Sequence, residues 1–168
     1  MNKIYLRKLN PQKDISNQYL SWMKDVYIHQ FTDQKYQKHT KESIKKFVTE
    51  KNKSHKDYLF GIFIKSSNKH IGNIKLGPIN YNHMNSFISY FIGSKEHWRK
   101  GYSELAIKEL IKIAKKKKLK KVKAHCYKQN IGSIKLLRKC GFLLEGKLNK
   151  ELILNNKRVD ELVFGKLI

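Results

Sequence analysis

The sequence contains little cysteine, little proline and no long apolar run, and each shortage excludes a class of protein. Its two cysteines, Cys126 and Cys140, are too few for a disulfide framework and lack the spacing of a metal site. No apolar run approaches the roughly 20 residues of a membrane-spanning helix. The first ten residues alternate charged and apolar side chains and contain no signal-peptide core, which predicts a cytoplasmic protein. With only two prolines and no linker, residues 1–168 are expected to form a single domain.

Acidic residues are also scarce, so the chain is strongly basic. Aspartate and glutamate number 13 against 37 lysines and arginines, which gives a formal net charge of +24 at pH 7. Such a surface attracts polyanions. Only Arg7, Arg99, Arg138 and Arg158 are arginine, however, and arginine is better suited than lysine to bidentate recognition of phosphates and bases. The composition therefore argues against nucleic acid as a partner and favours anionic small molecules.

The hydrophobic periodicity predicts an α/β domain with the element order β-α-α-β-β-β-α-β-α-β-β. The first helix is expected at residues 12–24, with Pro11 at its start, and Thr40 is expected to cap a second helix that contains Ile44, Phe47 and Val48. Residues 87–92 are apolar on both faces, which is typical of a central strand. The remaining predicted strands are residues 4–9, 58–64, 71–76, 122–127, 142–146 and 159–167, and the remaining helices contain residues 107–114 and 133–140.

A basic turn that contains glycine, Trp98–Ser103, joins the predicted central strand to the third helix. Gly101 lets the backbone approach a ligand closely. The start of a helix presents unpaired N–H groups and the positive end of its dipole, which together bind phosphate or pyrophosphate. Arg99 and Lys100 add positive charge at the same place. A solvated connection is the alternative interpretation, and the segment alone leaves both open.

A second segment, Asn130–Phe142, reads as a short helix with both ends marked. Asn130 caps its start, and Gly141 can end it in a left-handed conformation. Ile134 and Leu137 are spaced to face the core. Taken alone, the segment is explained by structure without any chemistry.

Together, in this order and with Asn130 placed 29 residues after Gly101, the two segments resemble the GNAT superfamily of acyl-CoA N-acyltransferases. The resemblance is strongest to the branch that contains the N-acetyltransferases of ribosomal proteins. Elsewhere it is carried by Leu6-Arg7, Ile71–Leu76, Ser89–Gly93, Gly141–Gly146 and Val159-Asp160. It implies a mixed, mostly antiparallel central sheet flanked by helices on both faces, with acetyl-CoA as cosubstrate and no metal.

The resemblance assigns much of the cosubstrate site to backbone groups. Trp98 and Ser103 stand where the family's pyrophosphate turn has Gln or Arg and Gly or Ala, but Gly101 is retained. The segment Tyr90–Ile92 matches the strand whose backbone pairs with the pantetheine arm. The cofactor-binding residues that the resemblance implies are Tyr90, Phe91, Ile92, Trp98, Arg99, Lys100, Gly101, Tyr102, Ser103, Asn130, Ser133 and Lys139.

The resemblance also implies how the chemistry is divided among residues. A free alkylammonium has a pKa of roughly 10, so a base or water must remove its proton before attack. A backbone N–H of Tyr90–Ile92 would stabilise the oxyanion. Many relatives protonate the departing thiolate with a tyrosine, but Leu137 stands at that position. Ser133 is therefore expected to protonate or hold the thiolate, with Asn130 facing the pantetheine and the sulfur.

The general base is the least defined part of the predicted site. No carboxylate occurs between Asp57 and Glu96, and Phe87 stands where many relatives carry a glutamate. His83, just before the predicted central strand, is the nearest residue with a suitable unperturbed pKa. We therefore expect His83, Asp160 or a chain of water molecules to take the proton.

The resemblance and the charge together favour direct transfer of an acetyl group, in a ternary complex, to a primary amine on an anionic carrier. A nucleotide-linked amino sugar is the expected example, because residues 71–80 resemble enzymes of surface-polysaccharide pathways. The alternatives are the N-terminus of a ribosomal protein and non-catalytic binding of CoA or a polyanion. Pairing through the final strands would give a homodimer.

Overall fold

The computed structural model describes residues 3–168, and these contain a seven-stranded sheet. The predicted domain, 1–168, also includes Met1 and Asn2, which lie outside the described residues. The strands are β1 Ile4–Arg7, β2 Tyr58–Ile64, β3 His70–Asn80, β4 Asn85–Ile92, β5 Lys121–Tyr127, β6 Leu143–Leu154 and β7 Lys157–Leu167. The helices are α1 Asn17–Lys24, α2 Lys41–Lys53, α3 Tyr102–Lys116 and α4 Ile131–Lys139.

The strand order is β1-β2-β3-β4-β5-β7-β6. Neighbouring strands are antiparallel except for β4 and β5, which are parallel. The predicted mixed, mostly antiparallel sheet is therefore confirmed. The strand predicted to be central, β4, lies in the middle of the seven.

Helices cover both faces of the sheet, as expected, because alternating side chains of the strands form two separate cores. On one face, Ile107 and Leu110 of α3 and Leu137 of α4 share a core with Ile88 and Ile92 of β4. Burying each of these large aliphatic side chains contributes roughly 1.5–3 kcal/mol. The core on the other face, beneath α1 and α2, consists of Leu9, Ile15, Tyr19, Trp22, Met23, Ile44, Val48, Leu59 and Phe63.

The first helix is shorter than predicted and does not begin near Pro11. Arg7, at the end of β1, binds both carboxylate oxygens of Asp14, at 2.6 and 2.9 Å. This bidentate pair holds the intervening chain in a turn that contains Pro11. The helix begins only at Asn17, where the Ser16 hydroxyl accepts a backbone N–H of the first turn at 3.0 Å.

The last hairpin is longer than the sequence pattern predicts. The strand expected at residues 142–146 continues to Leu154, because Asn155 and Asn156 both adopt positive φ (50° and 61°) and make a two-residue turn into β7. Most residues of β6 are exposed, so the strand lacks the apolar alternation that marks a half-buried one. In the same way, β3 continues four residues beyond the predicted range 71–76.

Both predicted helix caps are present, and one of the three apolar residues expected in the second helix is exposed. The Thr40 hydroxyl accepts the N–H of Ser43 at 3.1 Å, and the Ser43 hydroxyl accepts the N–H of Thr40 at 3.0 Å. Asn130 caps α4, which therefore begins at Ile131, two residues earlier than predicted. The side chain of Phe47 is 38% exposed and lies outside both cores.

Replacing Thr40 by alanine removes one half of the reciprocal cap of α2. We expect the variant to lose about 1 kcal/mol of stability and its Tm to fall by about 2–4 °C, as measured by circular dichroism on heating. Thr49→Ala, inside the same helix, is the matched control and should cause no loss, because alanine is the better helix former. An equal fall in both variants would contradict the assigned cap.

Candidate active site

A cleft opens in the sheet where its parallel strands separate. β4 pairs with β5 over only three positions, from Asn85 opposite Lys121 to Phe87 opposite Lys123. Beyond these positions β5 pairs with β7 as far as Tyr127, and β4 stays paired with β3. On the side away from β3, the C-terminal half of β4 therefore presents its backbone to a gap and not to β5.

The backbone groups of Tyr90 and Ile92 point into this gap. Opposed residues of an antiparallel pair alternate between hydrogen-bonded and non-bonded positions, and Gly93 donates its N–H to β3 at 2.9 Å. The backbone of Phe91 therefore faces β3, while its neighbours Tyr90 and Ile92 face the opposite way. A hydrogen bond supports this direction for Ile92, because its carbonyl accepts the ring N–H of Trp98 at 2.7 Å and not an N–H of β3.

The turn after β4 places the start of α3 at the same end of the cleft. Gly101 has φ 79°, in the left-handed region that favours glycine, and no side chain caps the helix. Arg99 and Lys100 are exposed and directly precede the N–H groups of the first turn of α3. Lys139, at the end of α4, binds Glu104 in the first turn of α3 at 2.8 Å. Helix dipole, N–H groups and lysine together suit an anionic group.

A pair of hydroxyl groups lies between β4 and the start of α4. The Asn130 side chain accepts the N–H of Ser133 at 3.1 Å, which orders the first turn of α4. The Ser133 hydroxyl oxygen lies 2.9 Å from the phenol oxygen of Tyr90. Burial raises the pKa of Tyr90 far above its ordinary value, although the bond to Ser133 opposes this in part. The phenol therefore stays protonated.

The structure places most of the expected cosubstrate residues beside this cleft, but Tyr90, Phe91 and Trp98 differ from the expectation. The backbone of Phe91 faces β3 and not the cleft. Tyr90 contributes its side chain as well as its backbone. The Trp98 ring stacks on Tyr27, with centroids 5.9 Å apart, and bonds to the end of β4. Tyr102 and Ser103 are the first two residues of α3.

A cavity of about 550 Å³ adjoins the same stretch of β4 from the side of α1 and α2. Its floor includes Ser89–Phe91 of β4 and Asn73–Lys75 of β3, and its walls come from α2 and from the loop between α1 and α2. The exposed Phe47 belongs to this wall, which accounts for its absence from the core. A ligand in the cavity would reach the β4 segment whose backbone faces the cleft.

The lining of the cavity is basic. Lys38, Lys51 and Lys75 line it, whereas Asp33 supplies the one carboxylate among its described residues. Behind the lining, Lys51 and Lys75 share the carboxylate of Asp57, at 3.3 and 3.5 Å. Because one carboxylate is shared by two ammonium groups, positive charge remains in excess. The cavity therefore favours an anionic ligand over a polycation.

Neither side chain proposed as general base is bonded to the hydroxyl pair. His83 is exposed in the turn before β4, and the first residue of β4 lies five positions before Tyr90, or roughly 17 Å along the strand. Asp160 accepts the backbone N–H of Lys150 and binds Lys128 at 3.2 Å, and these bonds lower its pKa. The structure thus leaves His83 outside the candidate site and makes Asp160 a weak base.

His29 is a buried residue of the cavity wall that the sequence does not single out, because a lone loop histidine carries no pattern. It is 1% exposed, and its ring stands edge-on to Phe91 with centroids 5.0 Å apart. The Thr32 hydroxyl donates to the His29 carbonyl at 3.3 Å, so it can accept from Nδ1, which lies 3.2 Å away. Nε2 has no hydrogen-bond partner among the described residues. The arrangement suits a neutral imidazole.

The chain matches the family model for the acetyltransferase (GNAT) domain over residues 3–143. It is 31% identical over 134 residues to the probable N-acetyltransferase YjcK of Bacillus subtilis (strain 168), a match that covers 77% of this chain and 74% of the relative. The chain therefore belongs to the GNAT family of acetyltransferases, and the resemblance drawn from its two motifs is confirmed. By this membership it is an acetyl-CoA-dependent N-acetyltransferase.

Solved structures with this fold contain different bound ligands. The ribosomal L7/L12 alpha-N-protein acetyltransferase RimL, in complex with CoA, has a TM-score of 0.88 at 18% identity and covers 100% of this chain and 96% of its own. Spermidine N-acetyltransferase from Vibrio cholerae, with CoA and spermine, has 0.86 at 20%, covering 98% and 95%. The microcin C7 self-immunity acetyltransferase MccE, with acetyl-CoA and AMP, has 0.86 at 22%, covering 100% and 94%. At these identities the likeness shows the fold alone.

Residues 3–168 lack two features that define other classes of protein. No helix in this range is long and apolar enough to cross a membrane. No group of three or more histidine, cysteine, aspartate or glutamate side chains in the same range is placed to hold a metal ion. Cys126 and Cys140 are both buried and unpaired.

The buried His29 predicts a loss of stability in acid. Burial, with a smaller contribution from the neighbouring His39, lowers the pKa of His29 to about 4, although Asp25 and the Trp22 backbone act in the opposite direction. An unfolded histidine has a pKa of roughly 6.5. The unfolded chain therefore binds a proton that the folded chain does not, so stability is complete above pH 6.5 and falls between pH 6.5 and 4.

Urea unfolding at pH 7 and pH 4.5 measures this effect. His29→Asn keeps a polar atom near the position of Nδ1 and cannot titrate. Between the two pH values the wild type should lose roughly 2–3 kcal/mol more than the variant does. Parallel losses in the two proteins would show that His29 does not remain neutral in the fold.

Proposed function

We propose that this chain transfers the acetyl group of acetyl-CoA directly, in a ternary complex, to a primary amine on an anionic carrier such as a nucleotide-linked amino sugar. The proposal rests on the observation that the cleft and the cavity both border the same segment of β4. The cleft between β4 and β5 and the lysine-lined cavity both reach the segment Tyr90–Phe91. Donor and acceptor can therefore meet there without a covalent enzyme intermediate.

Acetyl-CoA would lie along the cleft. The N–H groups at the start of α3, with Arg99, Lys100 and Lys139 beside them, suit its pyrophosphate. The backbone groups of Tyr90 and Ile92 face the gap and suit the amides of the pantetheine arm. The thioester sulfur would then lie near Ser133, at the start of α4.

Three groups divide the work of the transfer. The amine nitrogen attacks the thioester carbon, and a β4 backbone N–H in the cleft stabilises the negative charge that develops on the oxygen. The C–S bond then breaks, and Ser133 donates a hydrogen bond to the thiolate. Asp33 is the one carboxylate among the described lining residues, and neither His83 nor Asp160 is bonded to the hydroxyl pair. We therefore assign the removal of the amine proton to water in the cavity. A neutral amine makes up only about one part in a thousand at pH 7, so the rate should rise with pH.

The acceptor is assigned from the charge of the cavity. Lys38, Lys51 and Lys75 would pair with a phosphate of the carrier, each ammonium acting as a compact charge at the cavity wall. The structural neighbour MccE was solved with AMP, a phosphate-bearing ligand. A polyamine would instead bring further positive charge against these lysines.

Two other functions remain as outcomes of the same test. The RimL neighbour acts on the N-terminus of a ribosomal protein, which keeps N-terminal acetylation as the alternative acceptor chemistry. Binding of CoA or a polyanion without catalysis is the second alternative. We further propose a cytoplasmic location, which the two unpaired buried cysteines support.

A homodimer through the final strands is also proposed. β6 is an edge strand of the sheet, with apolar side chains exposed along it. Leu143 is 73% exposed and Ile153 is 46% exposed. Exposed apolar edge strands are usually covered by a partner.

The proposal is tested by following release of the CoA thiol with four amines: a nucleotide-linked amino sugar, the same sugar without the nucleotide, spermidine and a ribosomal N-terminal peptide. We expect the highest kcat/KM for the nucleotide-linked sugar. Lys75→Met should lower this value about tenfold through KM, because a hydrogen bond to a charged group is lost. The same variant should leave kcat/KM for the amino sugar without the nucleotide unaffected.

Lys65→Met, in the exposed turn between β2 and β3, is the matched control and should behave as wild type. Preference for spermidine or for the peptide would contradict the anionic carrier. Absence of transfer to any amine, with thermal stabilisation by RNA that disappears between roughly 50 and 200 mM salt, would favour non-catalytic polyanion binding.

A further inference from the structure

The contact between Tyr90 and Ser133 joins residues that are 43 positions apart in the sequence. Tyr90 comes from β4, on one side of the cleft, and Ser133 comes from the first turn of α4, on the other. Their oxygens are 2.9 Å apart. The Ser133 backbone is held separately, because its N–H donates to Asn130 at 3.1 Å. The phenol therefore acts on the rotation of the serine hydroxyl and not on the placement of the helix.

The surroundings of the Tyr90 phenol keep it protonated, so that it can donate a hydrogen bond to Ser133. The titratable groups that act on the pKa of the phenol by charge are the thiols of Cys126 and Cys140, which raise it, and burial raises the pKa of both thiols. A phenol is a stronger hydrogen-bond donor than an alkyl hydroxyl and a weaker acceptor. The favoured arrangement therefore has Tyr90 donating to the Ser133 oxygen. The proton of Ser133 is then directed away from Tyr90.

We propose that Tyr90 is a positioning residue that turns the Ser133 hydroxyl toward the sulfur of the departing CoA, an assignment that rests on the proposed function. As the C–S bond breaks, its electron pair goes to sulfur and Ser133 donates a hydrogen bond to the thiolate. The amine proton goes to water, and the thiolate takes a proton from solvent as CoA leaves. Hydrogen bonds to an ionised acceptor are stronger than neutral ones, and a donor behind the serine strengthens them further.

Tyr90 itself keeps its proton throughout this step. The pKa of a thiol is roughly 8.5, far below that of the partly buried phenol, so proton transfer from Tyr90 to the thiolate is unfavourable. The pair is therefore a chain of two hydrogen bonds and not a proton relay. This distinction has a measurable consequence, because the chain should lower the pKa of the bound CoA thiol even when no amine is present.

The first experiment titrates CoA bound to the enzyme and follows the ultraviolet absorbance of the thiolate. In Tyr90→Phe the bound thiol should ionise at a pH higher by about one unit than in wild type, since one hydrogen bond to the chain is lost. With an accepted amine, kcat should fall about tenfold and the KM for acetyl-CoA should stay unchanged. Ser133→Ala should lower kcat at least as much, and the double variant should be no slower than Ser133→Ala.

Tyr58→Phe, which removes a phenol oxygen beside the same core but outside the cleft, is the control and should leave both readouts unchanged. Independent, additive losses in the two single variants would overturn the proposal, as would an unchanged thiol titration in Tyr90→Phe. If the CoA thiol bound to wild-type protein ionises at a lowered pH but no amine is acetylated, the proposed function is refuted and the role of Tyr90 is not. The titration would then still decide the role of Tyr90.

Discussion

The site depends on a single constraint, the parallel pairing of β4 with β5 that ends after three positions. Parallel strands need a crossover, and α3 supplies it. Because both strands run in the same direction, the start of α3 after β4 and the start of α4 after β5 come to the same end of the sheet. The gap between the separated strands lies at that end as well. Two helix starts and unpaired strand backbone are thus gathered by topology before any side chain is considered.

Alternation along β4 places neighbouring side chains on opposite faces of the sheet. The Tyr90 phenol contacts Ser133 of α4, while the floor of the lysine-lined cavity is formed by Ser89, Phe91 and part of Tyr90. The backbone between these side chains faces the cleft. Under the proposed function, β4 therefore separates the partly buried hydroxyl pair assigned to the leaving thiolate from the positively charged cavity assigned to the acceptor. The basic composition of the whole chain becomes specific only where lysines such as Lys75 line that cavity.

Local features of the fold could be predicted because short-range chemistry determines them. The Asn130 cap and the left-handed Gly141 depend on neighbours within a few residues. The first helix was placed too early because the pair between Arg7 and Asp14 holds a turn that periodicity cannot show. Exposed β6 was missed over most of its length, since strands without a buried face carry no alternating pattern.

The site was predictable in its backbone and much less so in its side chains. Motif spacing located the turn and both helix starts, but the bond from Tyr90 to Ser133 and the burial of His29 arise only from packing. Proximity in sequence favours His83, but the length of β4 places it at the opposite end of the strand from Tyr90.

Residue-resolved amide hydrogen exchange, with and without acetyl-CoA, tests most directly whether the gap beside β4 is the cosubstrate site. The account predicts that the N–H groups of Tyr90 and Ile92 become at least tenfold slower to exchange when acetyl-CoA is bound. The N–H of Phe91, which already faces β3, should change little. Bound acetyl-CoA that leaves Tyr90 and Ile92 unchanged, with protection confined to the lysines at the end of α3, would contradict it.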